Sequence, residues 1–161
     1  LVLTDDAVRS LDPNVKMNPP LREEDDRIAL LDALRDGTIE CVATDHAPHA
    51  RHEKDVPFEA APNGVTGLET AFAALYTYLV KPGALPLATL LERMSAGPAR
   101  VFGFERPRVA AGARANVVLL DLERDWQVAD FRSKSRNSWL LGHTLTGAVV
   151  MTIANGAVVH E

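Results

Sequence analysis

Residues Thr38 to Thr44 form an apolar run of strand length, closed behind by Gly37 and ahead by the polar pair Asp45-His46. A run with no polar alternation fits a strand buried on both faces, and such strands belong to parallel sheets covered by helices. The segment before it agrees. From Arg22 the apolar positions Ile28, Leu31 and Leu34, with Leu30 beside them, follow a helical period that Gly37 stops. Earlier still, Val15 to Asn18 reads as a short strand, because Pro19-Pro20 forbids any regular element from continuing. Strand, helix, strand in this order predicts a βαβ unit and an α/β fold.

The flanking segments extend the pattern. Thr4 with Asp5 and Asp6 predicts an N-capped short helix to about Leu11. A long irregular stretch from Ala47 to Thr66 holds three prolines, and loops of that length inside compact domains are usually functional or disordered. Helices follow over Leu68 to Val80, ended by Pro82-Gly83, then Leu87 to Met94 and Pro98 to Phe102. After Gly103 the character changes: strands lie within Val109 to Leu122 and Leu145 to Val159, with Asn155-Gly156 as a two-residue hairpin turn. The last fifty or so residues read as a small β module on an α/β body.

Composition narrows the function classes. With 47% hydrophobic and 24% charged residues the chain is ordinary globular material. Its net charge of -5 and its seventeen dispersed Lys and Arg residues form no basic stripe, so nucleic acid is not an expected partner. One cysteine, Cys41, asks for no oxidising compartment. No stretch approaches a membrane span and the N-terminus lacks a signal-peptide layout, which together point to a cytoplasmic setting. The opening Leu1-Val2-Leu3-Thr4, without methionine, reads like an element cut from its first half.

Chemistry concentrates at Thr44-Asp45-His46-Ala47-Pro48-His49, where the apolar run gives way to the long loop. In parallel α/β barrels the C-terminal ends of strands are where catalytic residues gather. An aspartate there can ligate a divalent metal through one oxygen and exchange a proton with water through the other. It can equally cap the loop's amides.

Several separated pieces resemble bacterial class I dihydroorotases of the amidohydrolase superfamily, in the same order: Lys16-Met17-Asn18-Pro19-Pro20-Leu21-Arg22, Ala43 to His49, Gly67-Leu68-Glu69-Thr70, Phe131 to Asn137, and the Gly147 to Gly156 hairpin. The Asp-His-Ala-Pro-His form is more like dihydroorotase than the related hydantoinases or allantoinases, which stand as the runner-up enzyme reading. The resemblance implies that residues 1–103 are the C-terminal strands and helices of a (β/α)8 TIM-type amidohydrolase barrel. Residues 104–161 would then be the C-terminal part of the flanking β-sandwich domain. It implies reversible hydrolysis of dihydroorotate to N-carbamoyl-aspartate in pyrimidine biosynthesis.

On the same resemblance Asp45 is the barrel's last zinc ligand and the general acid/base. Asn18 and His49 hold the substrate's ring and carboxylate, and backbone groups at Asn63 and Gly64 contact it. Asn63 departs from the family's usual Phe, as Ser138-Trp139-Leu140 departs from Thr-Pro-Phe. His46 reads as support, while His52, His143 and His160 read as solvated surface.

The family's other zinc ligands, one or two ions' worth, include a His-x-His pair, and no His-x-His occurs in these 161 residues. Two expectations follow. One is an incomplete piece of an active hydrolase, inactive alone and marginal in folding because a few barrel strands leave open edges. The other is a non-catalytic relative that binds aspartate transcarbamoylase. A homodimer fits either, and the intact Asp45 motif favours the enzyme.

Overall fold

The computed structural model describes residues 1–161 and contains five α-helices: α1 (Glu24–Asp36), α2 (Arg51–Lys54), α3 (Ala71–Leu75), α4 (Leu87–Met94) and α5 (Ala96–Val101). α1 carries Glu24, Asp25 and Asp26 in its first turn and Arg35 in its last, as the helix dipole favours. Gly37 ends it at φ 94°, a left-handed conformation that a residue without Cβ adopts at little cost. Arg93, only 9% exposed, adds a second stop: its Nε donates to the Leu34 carbonyl at 2.9 Å, giving a cation to an orphan oxygen at the helix C-terminus.

Leu31 and Leu34 are buried on α1, but Ile28 and Leu30 stay 44% and 42% exposed, so the buried stripe is narrower than the apolar pattern. The reason is what packs there: Leu31 and Leu34 share one cluster with Leu75, Leu79, Leu85 and Leu90. The helix expected over Leu68 to Val80 is shorter and changes pitch, α3 passing into a π-helical turn at Tyr76–Val80 where Tyr76 stacks on Phe72 at 5.7 Å. Asp5–Ser10 winds as a 3-10 helix with no side-chain cap from Thr4, and Leu11 closes it at φ 53°. A run of six residues is long for this tighter turn, which usually spans about three to four.

The sheet is the largest correction to the sequence reading. Three antiparallel strands in the order β1-β2-β3 are formed by Val117–Gln127, Thr144–Ala154 and Ala157–His160. The Asn155-Gly156 turn lies where expected, with φ 51° and 82°, as a type I′ hairpin needs. The two segments read as parallel strands have no ladder. Val15 ends a 3-10 turn, Lys16 accepts on its carbonyl from the Gly64 amide at 2.9 Å, and the Val42 amide donates to Arg93 at 2.9 Å. Backbone groups that a parallel neighbour would take are bonded to the long loop at Gly64 and to α4 at Arg93 instead. The Thr38–Thr44 run is therefore half-buried, with Ile39 and Val42 packed on the α1 cluster and Ala43 exposed.

A second cluster joins helix to sheet: Ala73 and Ala74 of α3 meet Val128, Leu140 and Leu145, with Trp126, Phe131 and Trp139 against them. Small residues let the two layers approach. At Gly147, φ 89°, a Cβ would lie 2.9 Å from the Tyr76 ring and 3.2 Å from that of Phe72. Thr77 Oγ1 locks the same join, donating to the Thr146 carbonyl at 3.1 Å and accepting from its amide at 2.8 Å. Trp139 lies between Tyr78 and His143, and Leu140 is core, so the departed Ser138-Trp139-Leu140 segment packs at this join. His143 is exposed as expected, though its Nδ1 pairs with the Tyr78 hydroxyl at 3.0 Å. No helix is long and apolar enough to cross a membrane.

Candidate functional site

The long loop is built on two lysines. Lys16 Nζ donates to the carbonyls of Phe58 at 2.8 Å, Glu59 at 3.0 Å and Ala61 at 2.8 Å, and lies 5.3 Å from the centre of the Phe58 ring. An ammonium has three protons, and all three are used. Lys54, 8% exposed, donates to Pro13 and Pro62, each at 2.9 Å, and burial pushes its ammonium below the usual lysine range. Together they shape residues 58–62 and deliver the chain to Asn63 and Gly64.

Three of the five residues singled out in the sequence come together there. His49 Nε2 stands 2.9 Å from the Asn63 carbonyl; a carbonyl only accepts, so the ring carries its proton on Nε2. Its Nδ1 is 3.9 Å from the Glu53 carboxylate. This is the posture of a loop histidine anchored to backbone, with the Nδ1 edge left for any further contact. Gly64, at φ 102°, is pressed so closely that a Cβ would fall 2.6 Å from that of Ala47 and 3.7 Å from His49 Nε2.

Asn18 and Asp45 take no part in these bonds. Asn18 is exposed, two residues beyond the Lys16 carbonyl that receives the Gly64 amide, and is joined to Pro19 by a cis peptide. Asp45 is also exposed, at φ 44°, a left-handed conformation that aspartate tolerates better than most side chains. Next to it His46 Nδ1 accepts from the amides of Gly67 and Leu68, each at 3.2 Å, tying the start of the loop to the approach to α3.

Sequence reasoning passed over Asn137. It is 6% exposed, and its side chain bonds to both sides of the loop, receiving the His49 amide at 3.1 Å and donating to the carbonyls of Ala47 at 2.9 Å and Gly64 at 3.3 Å. The segment that carries it is fixed from behind by Glu69, whose carboxylate accepts the amides of Arg132 at 2.7 Å and Ser133 at 2.8 Å. The only signal in the sequence was that both residues fall within the family-like pieces.

A zinc ion is not accommodated by these residues alone. No three His, Cys, Asp or Glu side chains converge on a point, and structural or catalytic zinc needs at least three protein donors. His46 and His49 each spend one ring nitrogen on backbone partners, and the exposed Asp45 is the candidate donor that the resemblance singles out.

A model of the Amidohydrolase family matches residues 13–159. A protein named dihydroorotase from Geotalea daltonii is 48% identical over 161 residues, covering 99% of this chain and 38% of that protein. One of the same name from Trichlorobacter lovleyi is 48% identical over 159 residues, covering 98% and 37%. Among solved structures, the L-hydantoinase (dihydropyrimidinase) from Arthrobacter aurescens superposes with a TM-score of 0.89 at 33% identity, over 99% of this chain and 37% of that one. The chain thus spans less than two fifths of the length of the relatives it matches.

Proposed function

The chain belongs to the amidohydrolase family, and from that premise we propose that its residues serve a dihydroorotase, a hydrolase opening the cyclic amide of dihydroorotate to N-carbamoyl-aspartate. The observation that carries the reading is near-half identity, sustained over almost the whole chain, to proteins bearing that name. On this proposal residues 1–103 contribute the last helices of a (β/α)8 barrel and residues 104–161 part of its flanking β-sandwich. The first hydrophobic cluster lies wholly before residue 103 and the sheet wholly after residue 104, which supports the division.

Asp45 is the proton-transfer residue in this reading. Its exposed carboxylate takes a proton from the attacking water and returns it to the ring nitrogen as the carbon–nitrogen bond breaks. His49 and Asn18, with the peptide groups of Asn63 and Gly64, line the rim that receives a small planar amide bearing an acid group. The family generally binds zinc; the proposal gives Asp45 one coordination position and places the remaining donors in the part of the relatives that this chain does not span. Association as a homodimer or with aspartate transcarbamoylase belongs to the same reading.

The test is hydrolysis of dihydroorotate, with zinc content measured in parallel, by this chain alone and by the full-length protein that contains it. Activity is expected only in the full-length protein. Asp45→Asn there should lower kcat by about 10²–10⁴, the usual worth of general acid–base catalysis. Turnover of hydantoin but not of dihydroorotate would replace the substrate, and zinc-dependent turnover by the 161-residue chain would refute the division of ligands.

A further inference from the structure

Of the side chains around the long loop, Asn137 alone bonds to both the motif segment and the segment facing it. Its Oδ1 receives the His49 amide at 3.1 Å and the Ser135 hydroxyl at 2.6 Å; its Nδ2 donates to Ala47 at 2.9 Å and to Gly64 at 3.3 Å. All four hydrogen-bonding positions of one carboxamide are filled, at a residue only 6% exposed. Its backbone carbonyl is held as well, accepting the Thr66 amide at 2.9 Å.

The partners are not a random set. Ala47 and His49 flank Pro48, so Asn137 bonds to the chain on either side of Pro48, between Asp45 and the His49 ring. Gly64 belongs to the opposite wall, whose neighbour Asn63 holds that ring at Nε2. One side chain thus fixes both the backbone that carries His49 and the backbone that anchors its imidazole. Ser135 closes the figure, its single hydroxyl proton shared between the His49 carbonyl and Asn137 Oδ1. Because the two ends of a carboxamide are chemically opposite, this arrangement fits asparagine and not aspartate, whose second oxygen would face the Ala47 and Gly64 carbonyls.

We propose that Asn137 is a positioning residue for substrate binding, acting through His49 by setting the distance between the Ala47–His49 loop and the Asn63–Gly64 wall. The proposal rests on the dihydroorotase reading for its substrate, but the clamp itself can be read without one.

The experiment has two arms. In the full-length protein without substrate, amide hydrogen exchange at His49 is compared between wild type and Asn137→Ala, with exchange in α4 as the control for global unfolding; loss of protection at His49 by about tenfold or more, with α4 unchanged, is expected. In the full-length enzyme, KM and kcat for dihydroorotate are measured for Asn137→Ala, Asn137→Asp, His49→Ala and the Asn137→Ala/His49→Ala double variant. KM should rise on the order of tenfold with a smaller change in kcat, Asn137→Asp should recover nothing, and the double variant should be little worse than His49→Ala, because coupled residues are not additive.

Ser135→Ala, which removes a single member of the network, should shift KM in the same direction by less and serves if Asn137→Ala fails to fold. Unchanged His49 protection overturns the clamp. Multiplicative KM effects of Asn137→Ala and His49→Ala overturn the action through His49. An enzyme inactive on dihydroorotate in wild-type form refutes the substrate and leaves the exchange arm to decide the clamp.

Discussion

Replacing Lys16 by methionine tests how the candidate site is held open. Methionine keeps most of the stem's apolar packing and deletes the ammonium that binds the Phe58, Glu59 and Ala61 carbonyls. The Glu59 carbonyl is exposed and can turn to water, whereas the Phe58 and Ala61 bonds are partly buried. A hydrogen bond to a charged group contributes about 1.5–3 kcal/mol net, and part of that is recovered because a desolvated charge also disappears. The two sheltered bonds therefore give an expected loss of about 2–4 kcal/mol. For a domain of this size that is a drop of roughly 5–15 °C in Tm.

Lys54→Met is the internal comparison. Lys54 makes two such bonds, not three, and burial already holds its ammonium below the usual range, so its charge opposes folding. Its loss should cost less. The assay is urea and thermal unfolding of wild type and both variants, with amide exchange read at residues 58–62. A Lys16→Met effect below about 0.5 kcal/mol, the range of ordinary surface substitutions, or a larger effect for Lys54→Met, would refute the argument that the three-carbonyl cage orders this loop.

Two further outcomes follow from the same geometry. Gly64→Ala must place a Cβ 2.6 Å from that of Ala47 at φ 102°, so about 1–3 kcal/mol of destabilisation and a raised KM in the full-length enzyme are expected; an unchanged Tm would show that the two walls are free to part. Asp36 accepts the Thr38 amide at 2.8 Å, which holds its carboxyl below the usual range. Its stabilisation is thus complete above the unfolded value of about 4 and is lost as pH falls through the lowered folded value. Asp36→Asn should flatten the acid limb of stability against pH, and an unaltered limb would show the bond to be incidental.

Local signals were the legible ones. Gly37 as the stop of α1, the bounds of α4 at Leu87 and Met94, and the Asn155-Gly156 turn each depend on a few neighbouring residues. The strand readings at Val15–Asn18 and Thr38–Thr44 failed as ladders because a parallel strand exists only through a neighbour, and apolar content does not supply one. The shift of α3 into a π turn, where Gly147 crowds Phe72 and Tyr76, is likewise a matter of tertiary contact. At the site, the motif around Asp45 drew attention to its loop, but the bonds that shape the loop come from Lys16 and Asn137, 42 to 45 and 73 to 90 positions away from their partners. Such distances leave no periodicity to read.

Those same separations bear on the order in which the chain acquires its shape. Helices α1 and α4 can form from contacts a few residues apart, and the Asn155-Gly156 hairpin is equally local. The Asn137 bonds, by contrast, must close loops of 73, 88 and 90 residues, and long closures are paid for in chain entropy before any bond repays them. The loop around His49 therefore takes its final form only after the segment bearing Asn137 has docked beside α3, making this rim a late event in folding and among the first regions to loosen when that docking fails.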